Sequence, residues 1–175
     1  MARRVKADPT FHTGVSVVIE CFGDIQISRD LLRFGERAIR ATPLWNAIYR
    51  DLLLIEKVQF LTEGEHGSGG WPELAQSTLN AKVSRRQQPW ILRASQSLFR
   101  SLTRSGAPGN IREVAPTWMR FGSDIPYGIH HQTGTSHMPQ RKPIELTETE
   151  RRMIVKSVQL YILRGAPPSE FGVGV

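Results

Sequence analysis

The run Thr42-Pro43-Leu44-Trp45-Asn46-Ala47-Ile48-Tyr49-Arg50-Asp51-Leu52-Leu53-Leu54-Ile55-Glu56-Lys57-Val58-Gln59-Phe60-Leu61 decides how the rest of the chain is read. Leu44, Trp45, Ile48, Leu52, Ile55 and Phe60 recur mostly at intervals of three and four, the spacing that puts side chains on one side of an α-helix. Thr42 is placed to cap that helix. Pro43 takes the first helical position, where its missing N–H is harmless. Leu53, Leu54 and Leu61 widen the apolar stripe. A helix over 43–62 with so broad an apolar face is expected at the centre of a core or in a subunit contact.

Upstream, Ser28 is suited to cap a helix from Arg29 to about Arg40, with Leu31, Leu32, Phe34 and Ile39 on its apolar side. Before it, Val15, Val17, Ile19 and Cys21 alternate between Gly14 and Gly23, the pattern of a strand. Downstream, Glu63 to Gly70 holds four glycines in eight residues and reads as a flexible loop. Short helices are expected over 74–83 and 95–104. Ile111–Val114 and Trp118–Gly122 read as a hairpin turning through Ala115-Pro116-Thr117. Residues 126–132 suit a helical turn, and Ile144-Glu145-Leu146 a last short strand. Thr147-Glu148-Thr149-Glu150 is a capping box that opens a helix ending at Gly165. With no regular βαβ alternation, the expected class is α+β: a mostly antiparallel sheet of about four strands with helices packed on one face. Residues 1–12 read as an arm, 13–165 as one domain, and 166–175 as a tail.

The chain has 175 residues, enough for one ordinary domain, and a formal net charge of +7. The excess is local. No acid lies between Glu73 and Glu113, where Lys82, Arg85, Arg86, Arg93, Arg100, Arg104 and Arg112 all fall. Such a field attracts an acidic protein face or a polyanion. A solvated face or an interface to an acidic neighbour is the plainer expectation, and direct DNA contact the second, because no DNA-recognition motif accompanies the charge. The one cysteine, Cys21, allows no internal disulfide and reads as an inert core thiol. No apolar run is long enough to span a membrane, and the basic N-terminus lacks a signal-peptide core, so a cytoplasmic site of synthesis is expected.

Catalytic motifs are wanting. His130, His131 and His137 cluster in sequence, and with Asp124 or Glu145 they invite a metal reading. Their spacing matches no helical His pair and no Cys/His zinc pattern. There is no Gly-x-Ser-x-Gly elbow, and the glycine loop lacks the Gly-Lys-Ser/Thr ending of a phosphate-binding loop. The pairs Glu63/Glu65 and Glu148/Glu150 suit loop solvation and helix capping. Trp71, Trp90, Phe121 and Tyr127 sit beside Pro or Gly at loop edges, positions that anchor loops or form contact patches.

Five motifs stand in order. They are Phe60-Leu61-Thr62-Glu63-Gly64 with Gly70-Trp71-Pro72-Glu73-Leu74; Ser77-Thr78-Leu79 with Lys82; Ile91-Leu92 and Ser97-Leu98; Phe121 to Gly134, containing Pro126-Tyr127-Gly128 and His131-Gln132-Thr133-Gly134; and Met138-Pro139-Gln140-Arg141 before Ile144-Glu145-Leu146-Thr147. In this order they resemble the virion-morphogenesis family of tailed bacteriophages, which includes the tail-completion proteins of Mu-like and P2-like phages. The resemblance covers about half the chain. It departs at Gln96, where the family usually has glycine, at Gly128 for the usual alanine, and at Pro143 for a common aromatic. It implies a structural virion protein of the neck that acts in tail completion and head–tail joining, assembled in the bacterial host cytoplasm, with no catalysis and no cofactor. It also implies a homo-oligomeric ring, most often of six copies, meeting head-completion or connector proteins, tail-terminator or tail-tube proteins and, second to these, the channel DNA, with no membrane. Trp71, Pro126, Tyr127, His131, Gly134, Pro139 and Arg141 are the loop anchors it singles out. The alternative is a DNA-binding or packaging accessory protein using the basic stretch 82–112.

Overall fold

The computed structural model describes residues 24–165. The arm, the strand expected at 14–22 with Cys21, and the tail 166–175 lie outside the described residues. Within them the order is α1 (Asp24–Ile39), α2 (Thr42–Leu61), α3 (Glu65–Ser68), α4 (Gln76–Ser84), α5 (Ser97–Thr103), β1 (Asn110–Val114), β2 (Met119–Ser123), α6 (Gly128–Thr133) and α7 (Glu148–Arg164).

The α2 helix is the spine. Leu44, Ile48 and Leu52 join Ala41 and the Tyr161 ring of α7 in one buried cluster. At the other end of α2, Phe60 lies fully buried in a second cluster with Trp71, Ile91, Leu98 and Leu102. Each such side chain contributes about 1.5–3 kcal/mol by leaving water. Phe121 packs against both clusters and ties them together. The start of α2 differs by one residue from expectation. Ala41 is the cap, and it has no side-chain acceptor to offer. Its amide instead donates to the Pro116 carbonyl in the hairpin turn at 2.8 Å. Ser28 falls inside α1, which begins at Asp24, so it caps nothing.

The expected sheet of about four strands is not there. Among the described residues the sheet has two strands, β1 and β2, paired antiparallel with Arg112 opposite Phe121. The rest of the described chain is predominantly helical. The segment Ile144-Glu145-Leu146 shows why the pattern misled. Its alternation is real, because Ile144 packs on the second cluster and Leu146 on the first. Its backbone, however, pairs with a side chain. The Gln132 amide donates to the Ile144 carbonyl at 2.9 Å, and its Oε1 accepts the Ile144 N–H at 3.2 Å. One glutamine does for this residue what a neighbouring strand would do.

A two-stranded hairpin is marginal by itself. This one is pinned by Asn110, whose Oδ1 accepts from the Tyr49 hydroxyl at 2.7 Å and whose Nδ2 donates to the Ser101 carbonyl at 2.7 Å. The Thr147/Glu150 capping box forms as read, and α7 stops at Gly165.

Where a loop is expected after α2, the backbone forms the short α3 and closes on itself by hydrogen bonds. The Trp71 amide donates to the Glu63 carbonyl at 2.7 Å, and the Gly70 amide to the Gly64 carbonyl at 3.1 Å. Gly64 has φ +90°, and a Cβ there would collide with the Trp71 indole. Glycine is required for that close approach.

Candidate functional site: a basic groove

The second cluster supports a groove of about 600 Å³ between α4, α6 and the segment 137–141. Three separated stretches of sequence build it, and they bond to one another. Arg141 is buried, at 6% exposure. Its Nε donates to the Pro72 carbonyl at 2.8 Å, and its Nη2 to the Glu73 carbonyl at 2.7 Å. Its own amide donates to the His131 carbonyl at 2.9 Å. The Trp71 indole N–H donates to the Lys142 carbonyl at 3.1 Å. Burial lowers the Arg141 pKa below that of a free guanidinium, and the group remains charged at any ordinary pH.

The α6 helix supplies the opposite wall. Pro126 opens it in a turn closed by the Gly128 amide on the Ile125 carbonyl at 2.9 Å, and Gly134 ends it by donating to the His130 carbonyl at 2.8 Å. The Tyr127 hydroxyl lies 3.1 Å from Ser95 Oγ and accepts the Leu98 N–H at 3.3 Å, at the start of α5. The Tyr127 and His131 rings meet edge to face at 5.9 Å. Burial lowers the His131 pKa below its usual 6.5, and the Arg141 and His130 charges add to that. His131 Nδ1 is buried without a protein partner. Pro139 lines the groove beside Met138.

The seven cations of 82–112 take different places. Lys82 is buried, and its ammonium donates to the Gln88 carbonyl at 3.3 Å and the Trp90 carbonyl at 2.9 Å. Burial lowers its pKa, opposed by the Glu63 charge. Lys82 and Arg85 both line the groove. The Arg93 guanidinium stacks over Trp90 at 4.1 Å, and that of Arg112 over Tyr49 at 4.8 Å while donating to Asn46 Oδ1. Arg85, Arg86, Arg100 and Arg104 are exposed. The charge run therefore divides into groove cations, stacked guanidinium groups and free surface charge.

Sequence reasoning missed an acidic cluster around Glu56, itself buried on α2. Glu56 is fully buried on α2, and neither of its carboxylate oxygens has a hydrogen-bond partner. Burial raises its pKa well above 4.5, and the charges of Glu150 and Glu145 raise it further. Glu150 accepts from His66 across 2.7 Å, and Lys142 pairs with Glu145 at 3.1 Å. The cue was available: Glu56 falls on the same helical side as Leu52 and Phe60, four residues from each. Among the described residues no group of three or more His, Cys, Asp or Glu side chains is arranged to hold a metal ion. No helix there is long and apolar enough to cross a membrane.

No family model, no curated protein and no solved structure matches this chain.

Proposed function

We propose that this chain is a structural virion protein of a tailed bacteriophage, a ring-forming neck component acting in tail completion and head–tail joining. One observation carries the proposal. The residues that resemble the family pattern, dispersed over seventy positions of sequence, form one interlocked unit: Trp71 bonds to the backbone at 142, Arg141 to the backbone at 72 and 73, and residue 141 to residue 131. Residues that bond together in this way have a physical reason to occur together in a pattern.

A departure from the pattern adds support. Gln96 stands where the family usually has glycine, and it takes the left-handed conformation, φ +60°, that glycine adopts most readily. The backbone demand at that position suits the family's residue better than the one present.

A ring needs two different faces on each subunit. The exposed apolar side of α1, with Ile27, Leu31, Leu32 and Ile39, offers one, and the groove at the opposite end of α2 offers another. The test is electron microscopy of particles made from a phage genome lacking this chain. Unjoined heads and tails are the expected product. Normal tailed, infectious particles would refute the assignment.

A further inference from the structure

The groove has a definite chemistry. None of its lining residues is acidic, and Lys82, Arg85 and Arg141 bring positive charge to it. Its apolar surface comes from Leu74, Leu92 and Met138. Lys82 and Arg141 are held by backbone carbonyls, so these charges are fixed in place before any ligand arrives. Such a site fits a short segment carrying one carboxylate beside an apolar anchor. A nucleic-acid backbone is a poorer fit, because an apolar floor leaves repeated phosphates unmatched.

The chain contains such a segment. Residues 166–175 read Ala-Pro-Pro-Ser-Glu-Phe-Gly-Val-Gly-Val, with Glu170 their one charged residue and Phe171 next to it. In a chain of net charge +7 this stretch is net negative. Pro167-Pro168 restricts the backbone ahead of Glu170, which lowers the entropy lost on docking. The other end of the chain, Met1-Ala2-Arg3-Arg4-Val5-Lys6, has the wrong sign for the groove.

Geometry favours another copy's groove over its own. The α7 helix ends beside the start of α2, where the Tyr161 hydroxyl donates to the Arg40 carbonyl at 3.0 Å. The groove adjoins the far end of α2 through the second cluster, since Leu74 and Leu92, which line it, pack on the cluster that contains Phe60. The seventeen residues of α7 span about 25 Å between these ends. From Gly165 to Phe171 a fully extended chain reaches only about 20 Å. The segment's extended reach is thus shorter than α7 itself, which favours the groove of a second copy.

We infer that the groove receives Ser169-Glu170-Phe171-Gly172-Val173 of a second copy of this chain, with Glu170 against Arg85 and Arg141 and Phe171 on Leu74 and Leu92. The contact is head-to-tail, the type that closes into a ring when the rotation permits. The closure rests on the ring reading above; the groove contact does not.

The test is a charge swap in the full-length chain, read by light scattering, together with a fluorescein-labelled peptide of residues 166–175. Arg85 is exposed, so Arg85→Glu is expected to leave the fold intact. Arg85→Glu and Glu170→Lys should each weaken self-association by about tenfold or more, and the double variant should recover it. The labelled peptide should bind Glu170→Lys protein and lose that binding when Arg85→Glu is added. Self-association indifferent to both substitutions would overturn the inference and leave a ring built on other faces. A peptide that fails to bind, or is displaced by a ten-nucleotide oligothymidine at lower concentration, would also overturn it. Peptide binding by a chain that never associates would show that the groove takes the segment and would overturn its delivery by a second copy.

Discussion

Arg141 reaches back 69 residues to donate from Nε to the Pro72 carbonyl at 2.8 Å, with its guanidinium buried. A buried cation bound to backbone oxygens fixes two segments relative to each other, and its removal leaves those oxygens unpaired. Arg141→Ala is expected to cost about 3 kcal/mol, read as a lower denaturation midpoint. Arg141→Lys should recover little of it, because an ammonium cannot reproduce the fork that serves both carbonyls. Equal stability of the lysine variant and the parent chain would show that the fork geometry is not what matters.

Glu56 carries the clearest pH signature. Its folded pKa is raised by burial first and by Glu150 and Glu145 second. A raised carboxylate pKa means the folded state holds the proton longer than the unfolded state does. The associated stability is complete below pH 4.5 and is lost as pH rises toward and through the folded value, at up to about 1.4 kcal/mol per pH unit for one proton. Glu56→Gln, which stays neutral, should flatten stability against pH above 4.5 and raise it on the alkaline side of that window. Urea titrations at a series of pH values would measure this. A parallel pair of profiles would show that Glu56 ionises without cost.

Gln96 is strained where glycine would not be. A non-glycine residue in the left-handed region costs about 1 kcal/mol, and glycine returns part of that as extra freedom of the unfolded chain. Gln96→Gly should therefore be neutral or stabilising, by up to about 0.5 kcal/mol, whereas glycine placed elsewhere in a helical segment costs about 1 kcal/mol. Thermal unfolding distinguishes the two signs.

Gly64 and Gly69 separate conformational strain from collision. Both have positive φ, +90° and +81°, but a Cβ at Gly64 meets the Trp71 indole while one at Gly69 meets open space. Gly69→Ala should cost about 1 kcal/mol and Gly64→Ala at least about 2 kcal/mol more. Matching losses at the two sites would contradict the packing assigned to Trp71.

These positions also mark how far the sequence could be read. The α2 helix, the hairpin, the capping box and the stop at Gly165 were legible, because each follows from local spacing and local backbone chemistry. The segment 144–146 was not. Its alternation reports burial on two sides, and nothing local reveals that Gln132, twelve residues earlier, takes the place of a partner strand. The glycines of 63–70 signalled backbone freedom, but the reason for it, contact with Trp71, is tertiary. At the site, the motif residues were found without their geometry. Lys82 looked like surface charge because a charge count does not register the Gln88 and Trp90 carbonyls that hold it indoors. Glu56 is hidden by its type, because an apolar stripe does not register a carboxyl group that shares its side of the helix.

The central claim, a ring in the neck of a tailed phage, is tested most directly by averaged cryo-electron micrographs of the virion neck with this chain located by a bound antibody fragment. A closed ring of identical copies at the head–tail junction is the expected result. A single copy there, or a particle in which the chain is absent, would contradict it.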